Sequence, residues 1–236
     1  VMATGLWSQF AIQTIPAGTD IVATSGYSAT GVGNGFYVSD ALADAVLAAA
    51  HPRFCKAEAG GRYFRLYSPN GILVEQGGAV GDVEIDYLVN NQPAIQACVN
   101  YGIAVGTLTI LFQSPHYTIW TPARTYATND YDLDQSGIPI VIDGAHVTLK
   151  SLCGRTDLWR RASAGGDPAT WANWPLTSGG DYWRGGCIYL VGPLGSPPAL
   201  FNDRSGVTLE DMHLQGGTVR GSGYGAMNLS TGDGWD

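Results

Sequence analysis

Two hydrophobic rhythms divide the chain near residue 106. Before that point the clearest pattern lies at residues 92–105, where Ala94, Ile95, Ala97, Cys98, Tyr101 and Gly102 fall mostly three and four apart. That spacing gives a helix one apolar face. Asn90 or Asn91 suits its cap, Pro93 its first turn, and Gly102 and Gly106 weaken and stop it. Beyond it the pattern becomes short β-branched runs broken by Gly, Pro, Asn and Asp. Residues 107–112 (TLTILF) and 117–120 (YTIW) read as strands. Then the pattern repeats: residues 140–142 run into Val147-Thr148-Leu149, residues 188–191 into Val207-Thr208-Leu209, and a third run follows at 227–229. Each VTL unit comes after a turn of small and polar residues. Short strands recurring in a fixed order, with turns between them, predict a solenoid whose coils bury a continuous apolar column. A β-sandwich also has short, regularly spaced strands. The solenoid is favoured because VTL recurs with the same flanks and a helix stands in front to cap the open first coil.

Residues 1–75 precede this pattern. Residues 2–10 read as a short arm exposing Leu6, Trp7 and Phe10. Residues 15–27 read as a strand pair around Pro16-Ala17-Gly18, and 62–67 (RYFRLY) as a strand. Residues 40–50 predict a helix capped by Asp40, with Leu42, Val46 and Leu47 on one face. The apolar mass here is small. The expected organisation is a lead-in module over 1–75 packed on a capping helix and first coils over 76–236.

The residues GGAVGD (77–82), QPAIQA (92–97), the 108–117 strand and turn, and the VTL units together resemble the opening of the pectate-lyase superfamily. That group comprises polysaccharide lyases, family-28-type glycoside hydrolases and phage tailspike depolymerases. The resemblance covers residues 77–236 and departs from the usual pattern at the longer 83–91 turn and at Ser114-Pro115-His116, where Pro-Gly is usual. It implies an all-β fold: a right-handed parallel β-helix with an N-terminal capping helix and a small α+β lead-in. It also implies a virion, cell-surface or extracellular setting, and a homotrimer as one assembly. Residues 15–75 look like the module that precedes such helices in tailspike-like and exported proteins. A coil open after residue 236 would expose an unpaired edge, so further coils or a partner chain are expected to cover it.

Composition narrows the function. Charged residues make up 14% of the chain against 33 glycines, which suits a turn-rich β protein. A net charge of −8 leaves no basic stripe to neutralise phosphates, so nucleic acid is not an expected partner. No apolar run reaches the length of a membrane span, and no charged-then-apolar export segment opens the chain. The spacing of Cys55, Cys98, Cys153 and Cys187 fits no zinc pattern. Cys98 is expected as a buried thiol; a Cys153–Cys187 disulfide at the base of an insertion is the less favoured of two readings.

Candidate chemistry lies in four places. Asp130, Asp132 and Asp134 alternate and would suit calcium as a cofactor, although a solvated acidic loop is the commoner use of such a run. The stretch 155–186, read as a long insertion, holds Trp159, Trp171, Trp174, Tyr182 and Trp183, with Arg155, Arg160, Arg161 and Arg184. Aromatic faces stack on sugar rings and arginine pairs with uronate carboxylates, while packing of the loop onto the wall is an equal alternative. Asp233 and Asp236 are a carboxylate pair for acid–base cleavage, or ordinary turn aspartates. His146 and His213 sit at the strand units, where a lone histidine is ordinarily a satisfied structural residue. The resulting expectation is a carbohydrate-active β-helix that binds and cleaves an acidic extracellular polysaccharide, as lyase or hydrolase. The alternatives are a non-enzymatic phage-tail or cell-surface fibre or adhesin, and a structural subunit closed by another chain.

Overall fold

The computed structural model describes residues 1–81, 89–121, 140–162, 188–191, 205–215, 218–221 and 229–230. The chain opens with β1 (Met2–Leu6), a 3-10 helix (Trp7–Ile12), β2 (Ile21–Gly26), β3 (Phe36–Val38), α1 (Ala45–Ala50), β4 (Cys55–Ala57) and β5 (Tyr63–Tyr67). The strands form one sheet in the order β1-β2-β3-β5-β4, parallel between β1 and β2 and antiparallel elsewhere. Residues 2–10 are therefore not an exposed arm. A 3-10 turn puts positions three apart on one side, and it folds Trp7 and Phe10 under the sheet, where both are fully buried. Trp7 stacks on Tyr37 with ring centroids 3.6 Å apart, and Phe10 meets Phe64 edge-on at 5.4 Å.

Two further expectations change here. Helix α1 begins at Ala45 because Asp44, not Asp40, supplies the cap: its Oδ1 accepts the Leu47 N–H at 2.7 Å. Asp40 instead takes the fork of Arg65, from Nε at 2.8 Å and from Nη2 at 2.6 Å, and Leu42 and Val46 are exposed. Of the expected strand pair over 15–27, β2 is the strand. Ile15 lies outside it, buried, and its N–H donates to Glu58.

The second half is a winding. After β6 (Ile72–Leu73) and a 3-10 helix (Val74–Gly77) comes α2 (Gln92–Val105), then β7 (Thr109–Phe112), β8 (His116–Thr121), β9 (Ile140–Asp143), β10 (His146–Ser151), β11 (Thr156–Ala162), β12 (Ile188–Val191), β13 (Gly206–Glu210), β14 (Met212–Gln215), β15 (Thr218–Gly221) and β16 (Leu229–Ser230). These build three walls. The first has the order β6-β7-β10-β13, the second β8-β11-β14, and the third β9-β12-β15 with β16 at its edge. Every pairing is parallel except β15 with β16. From β7 to β15 the chain visits the three walls in cyclic order, so each strand lies on the strand three elements earlier.

The VTL units meet in register, Val147 on Val207, Thr148 on Thr208 and Leu149 on Leu209, and the preceding runs meet as Ile140 on Ile188. Inward positions stack into columns: Ile110 and Leu149 from the first wall, Tyr117, Leu158 and Leu214 from the second, Ile140 and Ile188 from the third, all buried. Two strands were not legible. Residues 156–162 were read as part of an insertion but form β11, the middle rung of the second wall. Of the third run, residues 227–228 lie outside the described residues; β15 takes the third-wall rung, and Leu229–Ser230 pairs back on it antiparallel.

The edges of the first coil are closed. Strand β6 covers β7. At β8 the Asn91 N–H donates to Thr118 O at 2.9 Å. At β9 the side chain of Gln96 acts as a strand would: its Nε2 donates to Val141 O at 2.9 Å and its Oε1 accepts the Val141 N–H at 2.7 Å. Helix α2 thus caps the coil, burying Ala94, Ile95, Cys98, Val99, Tyr101 and Gly102. It ends at Gly106, whose φ of 77° belongs to the left-handed region. No strand forms over residues 77–81 before it. Gly77 ends the 3-10 helix, and a Cβ there would stand 2.6 Å from Cys98 Sγ, so glycine lets the helix approach. No helix among the described residues is long and apolar enough to cross a membrane.

Candidate functional site

Residues facing outward on the second wall form a polar column. Asp157 of β11 pairs in register with His116 of β8 on one side and His213 of β14 on the other. Rungs of a parallel sheet lie about 4.8 Å apart, close enough for side chains on successive rungs to touch. The alternation that turns Tyr117, Leu158 and Leu214 inward turns the preceding residue of each strand outward. The backbone holds the central residue from both sides: Asp157 N–H donates to Pro115 O at 2.7 Å, and Thr156 N–H donates to Asp211 O at 3.0 Å. The Thr156 hydroxyl, fully buried, donates to Ser114 O at 2.9 Å.

The column's contacts converge on one carboxylate. Arg155 Nε donates to Asp157 Oδ1 at 2.9 Å, His213 Nδ1 lies 2.9 Å from the same oxygen, and His116 Nδ1 is 3.4 Å from Oδ2. Arg155 Nη2 also reaches His213 Nδ1 at 2.7 Å. One ring nitrogen either donates or accepts, so the tautomer decides which of these bonds His213 makes. Burial works against the charge of Asp157, but Arg155 and His213 more than offset it and hold the carboxyl below its usual range. Asp157 and His213 are 13% and 15% exposed, whereas Arg155 is 63% exposed. The donors do not close on a common point, and among the described residues no group of three or more His, Cys, Asp or Glu is arranged to hold a metal.

Cys153 stands at the same corner. It is a free, exposed thiol rather than half of a disulfide, and Cys187 lies outside the described residues. Burial disfavours its thiolate, yet hydrogen bonds from Ser151 and Thr156 bring it below the usual thiol value. Cys98 is the buried thiol expected, and burial pushes it up. A shallow pocket between α1 and α2 includes His51, Arg53 and Asn100, and burial disfavours the charged form of His51.

The residues singled out from sequence fall elsewhere. Asp130, Asp132 and Asp134, the aromatic group Trp171, Trp174, Tyr182 and Trp183 with Arg184, and the pair Asp233 and Asp236 all lie outside the described residues. His146 is exposed at the start of β10, against Gly206. His213 is not a lone strand histidine but one end of the column. Its register partners His116 and Asp157 share no sequence spacing with it, because the corners between first and second walls differ in length. His116 comes six positions after Ile110, Asp157 eight after Leu149, and His213 four after Leu209, although each set is in register. A shared signal did exist: each column residue immediately precedes a buried Tyr or Leu.

No family model matches the chain, and no curated protein matches it. Among solved structures it is similar to the crystal structure of the Acinetobacter baumannii phage AM24 tailspike protein, with a TM-score of 0.39 and 14% identity over 91% of this chain and 32% of that one. It is also similar to the crystal structure of full-length tailspike protein 2 from Escherichia coli O157:H7 bacteriophage CAB120, with a TM-score of 0.37 and 12% identity over 93% of this chain and 27% of that one. The chain thus spans about a third or less of the length of these proteins.

Proposed function

We propose that this chain is the opening part of a right-handed parallel β-helix of the pectate-lyase superfamily type, and that it binds an extracellular polysaccharide from a virion or cell surface. Residues 1–75 are its lead-in module, and residues 76–236 its capping helix and first coils. The observation that carries the binding reading is the polar column on the outer face of the second wall. A solenoid wall presents a long, nearly flat surface with one rung every ~4.8 Å, a shape that suits an extended polymer better than a small ligand. His116, Asp157, His213 and Arg155 put hydrogen-bonding groups along that surface in a row. The sequence resemblance to polysaccharide-active β-helices supports the same class of ligand, with a homotrimer as the assembly it implies.

Cleavage would need further groups. Asp233 and Asp236 remain the proposed acid–base pair, Trp171, Trp174, Tyr182, Trp183 and Arg184 the sugar platform, and Asp130, Asp132 and Asp134 a calcium site. The test is a screen of the longest natural form of the chain against acidic and neutral bacterial and plant polysaccharides, with and without a calcium chelator. Binding is followed by co-sedimentation, cleavage by viscosity and by ultraviolet absorbance from unsaturated sugar ends. A viscosity drop with new absorbance identifies a lyase, and a drop without it a hydrolase. Binding without either identifies a fibre or adhesin, and neither binding nor cleavage overturns the reading for that panel.

A further inference from the structure

We infer that Arg155 is the anion-binding group of this wall, and that it takes the carboxylate of an acidic glycan on the outer edge of its guanidinium; this rests on the polysaccharide reading above. A guanidinium has five N–H donors in a fixed plane. Nε–H donates to Asp157 Oδ1 at 2.9 Å, and Nη2 lies 2.7 Å from His213 Nδ1, which accepts from it in the tautomer that carries its hydrogen on Nε2. Those contacts fix the plane and leave three N–H groups unmatched among the described residues, two of them parallel on the Nη1–Nη2 edge. That edge is the one whose geometry fits a carboxylate with two parallel hydrogen bonds. The side chain is 63% exposed, so the edge is reached from solvent.

The charge balance permits an anion here. Asp157 is the carboxylate inside the column, and its oxygens are turned to Arg155, His213 and His116. Within the column the charges of Asp157 and Arg155 offset each other. Asp211, in the turn before β14, adds to the negative charge acting on Lys150, as does Glu210 at 2.7 Å from its Nζ. The chain as a whole is acidic, at −8. At physiological salt that field is screened beyond ~8 Å, so a fixed guanidinium at contact distance decides local binding. An arginine held by two partners also loses less side-chain freedom on binding than a free one.

The test has two arms on the intact chain. In the first, the Arg155 Nε–H resonance is followed during titration with sodium glucuronate, glucose and sodium sulfate. A saturable shift with glucuronate, absent with glucose, is expected; a larger response to sulfate overturns the carboxylate assignment. In the second, binding to a uronate-containing polysaccharide is compared with binding to its carboxyl-reduced form. Arg155→Gln is expected to weaken the acidic form about tenfold or more and leave the reduced form unchanged. Arg155→Lys, which keeps the charge and loses the fork, shares most of that loss. Lys150→Gln removes one charge elsewhere and changes neither. Equal losses for Arg155→Gln and Lys150→Gln, or no loss for Arg155→Gln, overturn the proposal while the polysaccharide reading stands. A resonance shift with glucuronate in a chain that binds no polysaccharide keeps the anion site and sinks the wider reading. No shift and no binding sink both.

Discussion

The lead-in sheet and the coil walls each bury a glutamate, and treat it in opposite ways. Glu58, 4% exposed, sits in a ring of backbone donors: the N–H groups of Ile15, Gly60 and Arg62 reach it at 3.2, 2.8 and 3.3 Å. The Gly60 N–H is the main influence that holds its carboxyl below the usual range, against burial. Glu75, 2% exposed, lies under the first coil, accepts from the Tyr117 hydroxyl, and has one oxygen with no partner among the described residues. Burial there wins over the tyrosine and raises its carboxyl. Packing differs in the same way. The lead-in depends on a few large rings, Trp7, Phe10, Tyr37 and Phe64, while the coils stack mostly aliphatic columns, with Phe112 and Tyr117 in the first coil. A region built from unique contacts loses more per substitution than one built from repeated contacts.

The largest expected effect is therefore Trp7→Ala. It removes a fully buried ring stacked on Tyr37 and should cost about 3–5 kcal/mol, measured by denaturant unfolding. Leu158→Ala in the coil column, also fully buried, should cost nearer ~2 kcal/mol. A larger loss for Leu158 than for Trp7 breaks the comparison. Next comes Glu58→Ala, which strands three backbone N–H groups at a cost of about 2 kcal/mol. Glu58 has a folded value below its unfolded one. Its contribution is present above the unfolded value and is lost as pH falls through the folded value. The variant should flatten the acid limb of a stability–pH profile.

Gln96→Ala sharpens the comparison at the cap. It frees both the N–H and the C=O of Val141 at the edge of β9, with a cost of about 1–2 kcal/mol. Hydrogen exchange at Val141 should accelerate while exchange at Leu149, in the middle of its wall, changes less. Equal acceleration at both would mean that the cap stabilises the whole winding and not one edge.

This cap also shows what could be read from the chain and what could not. The helix over 92–105, its capping role and the pairing of the two VTL units follow from local periodicity, because apolar spacing is set by the same geometry that sets burial. Strand β11 was hidden: Thr156–Ala162 lacks the apolar run of the other strands, and its outward Asp157 serves the polar column. Helix α1 was placed too early because Asp40 and Asp44 are equally good caps by type. The choice was made by Arg65, 25 residues from Asp40 in the chain, which takes Asp40. The site was hidden by corner lengths that change from coil to coil, so that His116, Asp157 and His213 share a register but no sequence period. Local rhythm is legible; contacts made by long-range register are not.

The smallest expected effect isolates the buried acid of the coil region. Glu75 has a folded value above its unfolded one, chiefly through burial. The folded state then binds the proton more tightly than the unfolded state, so the stability linked to it is fully present below the unfolded value, about 4.3. It is lost as pH rises through the folded value. Glu75→Gln keeps the shape and an oxygen for the Tyr117 hydroxyl but removes the titration. In acid the variant should match the parent to within ~1 kcal/mol. As pH rises the parent should lose stability relative to the variant, until the variant is the more stable. Thermal unfolding of both across that range reads the difference directly. Parallel pH profiles would show that Glu75 has the same value in the folded and the unfolded chain. The contrast with Glu58 would then rest on hydrogen-bond number and not on protonation.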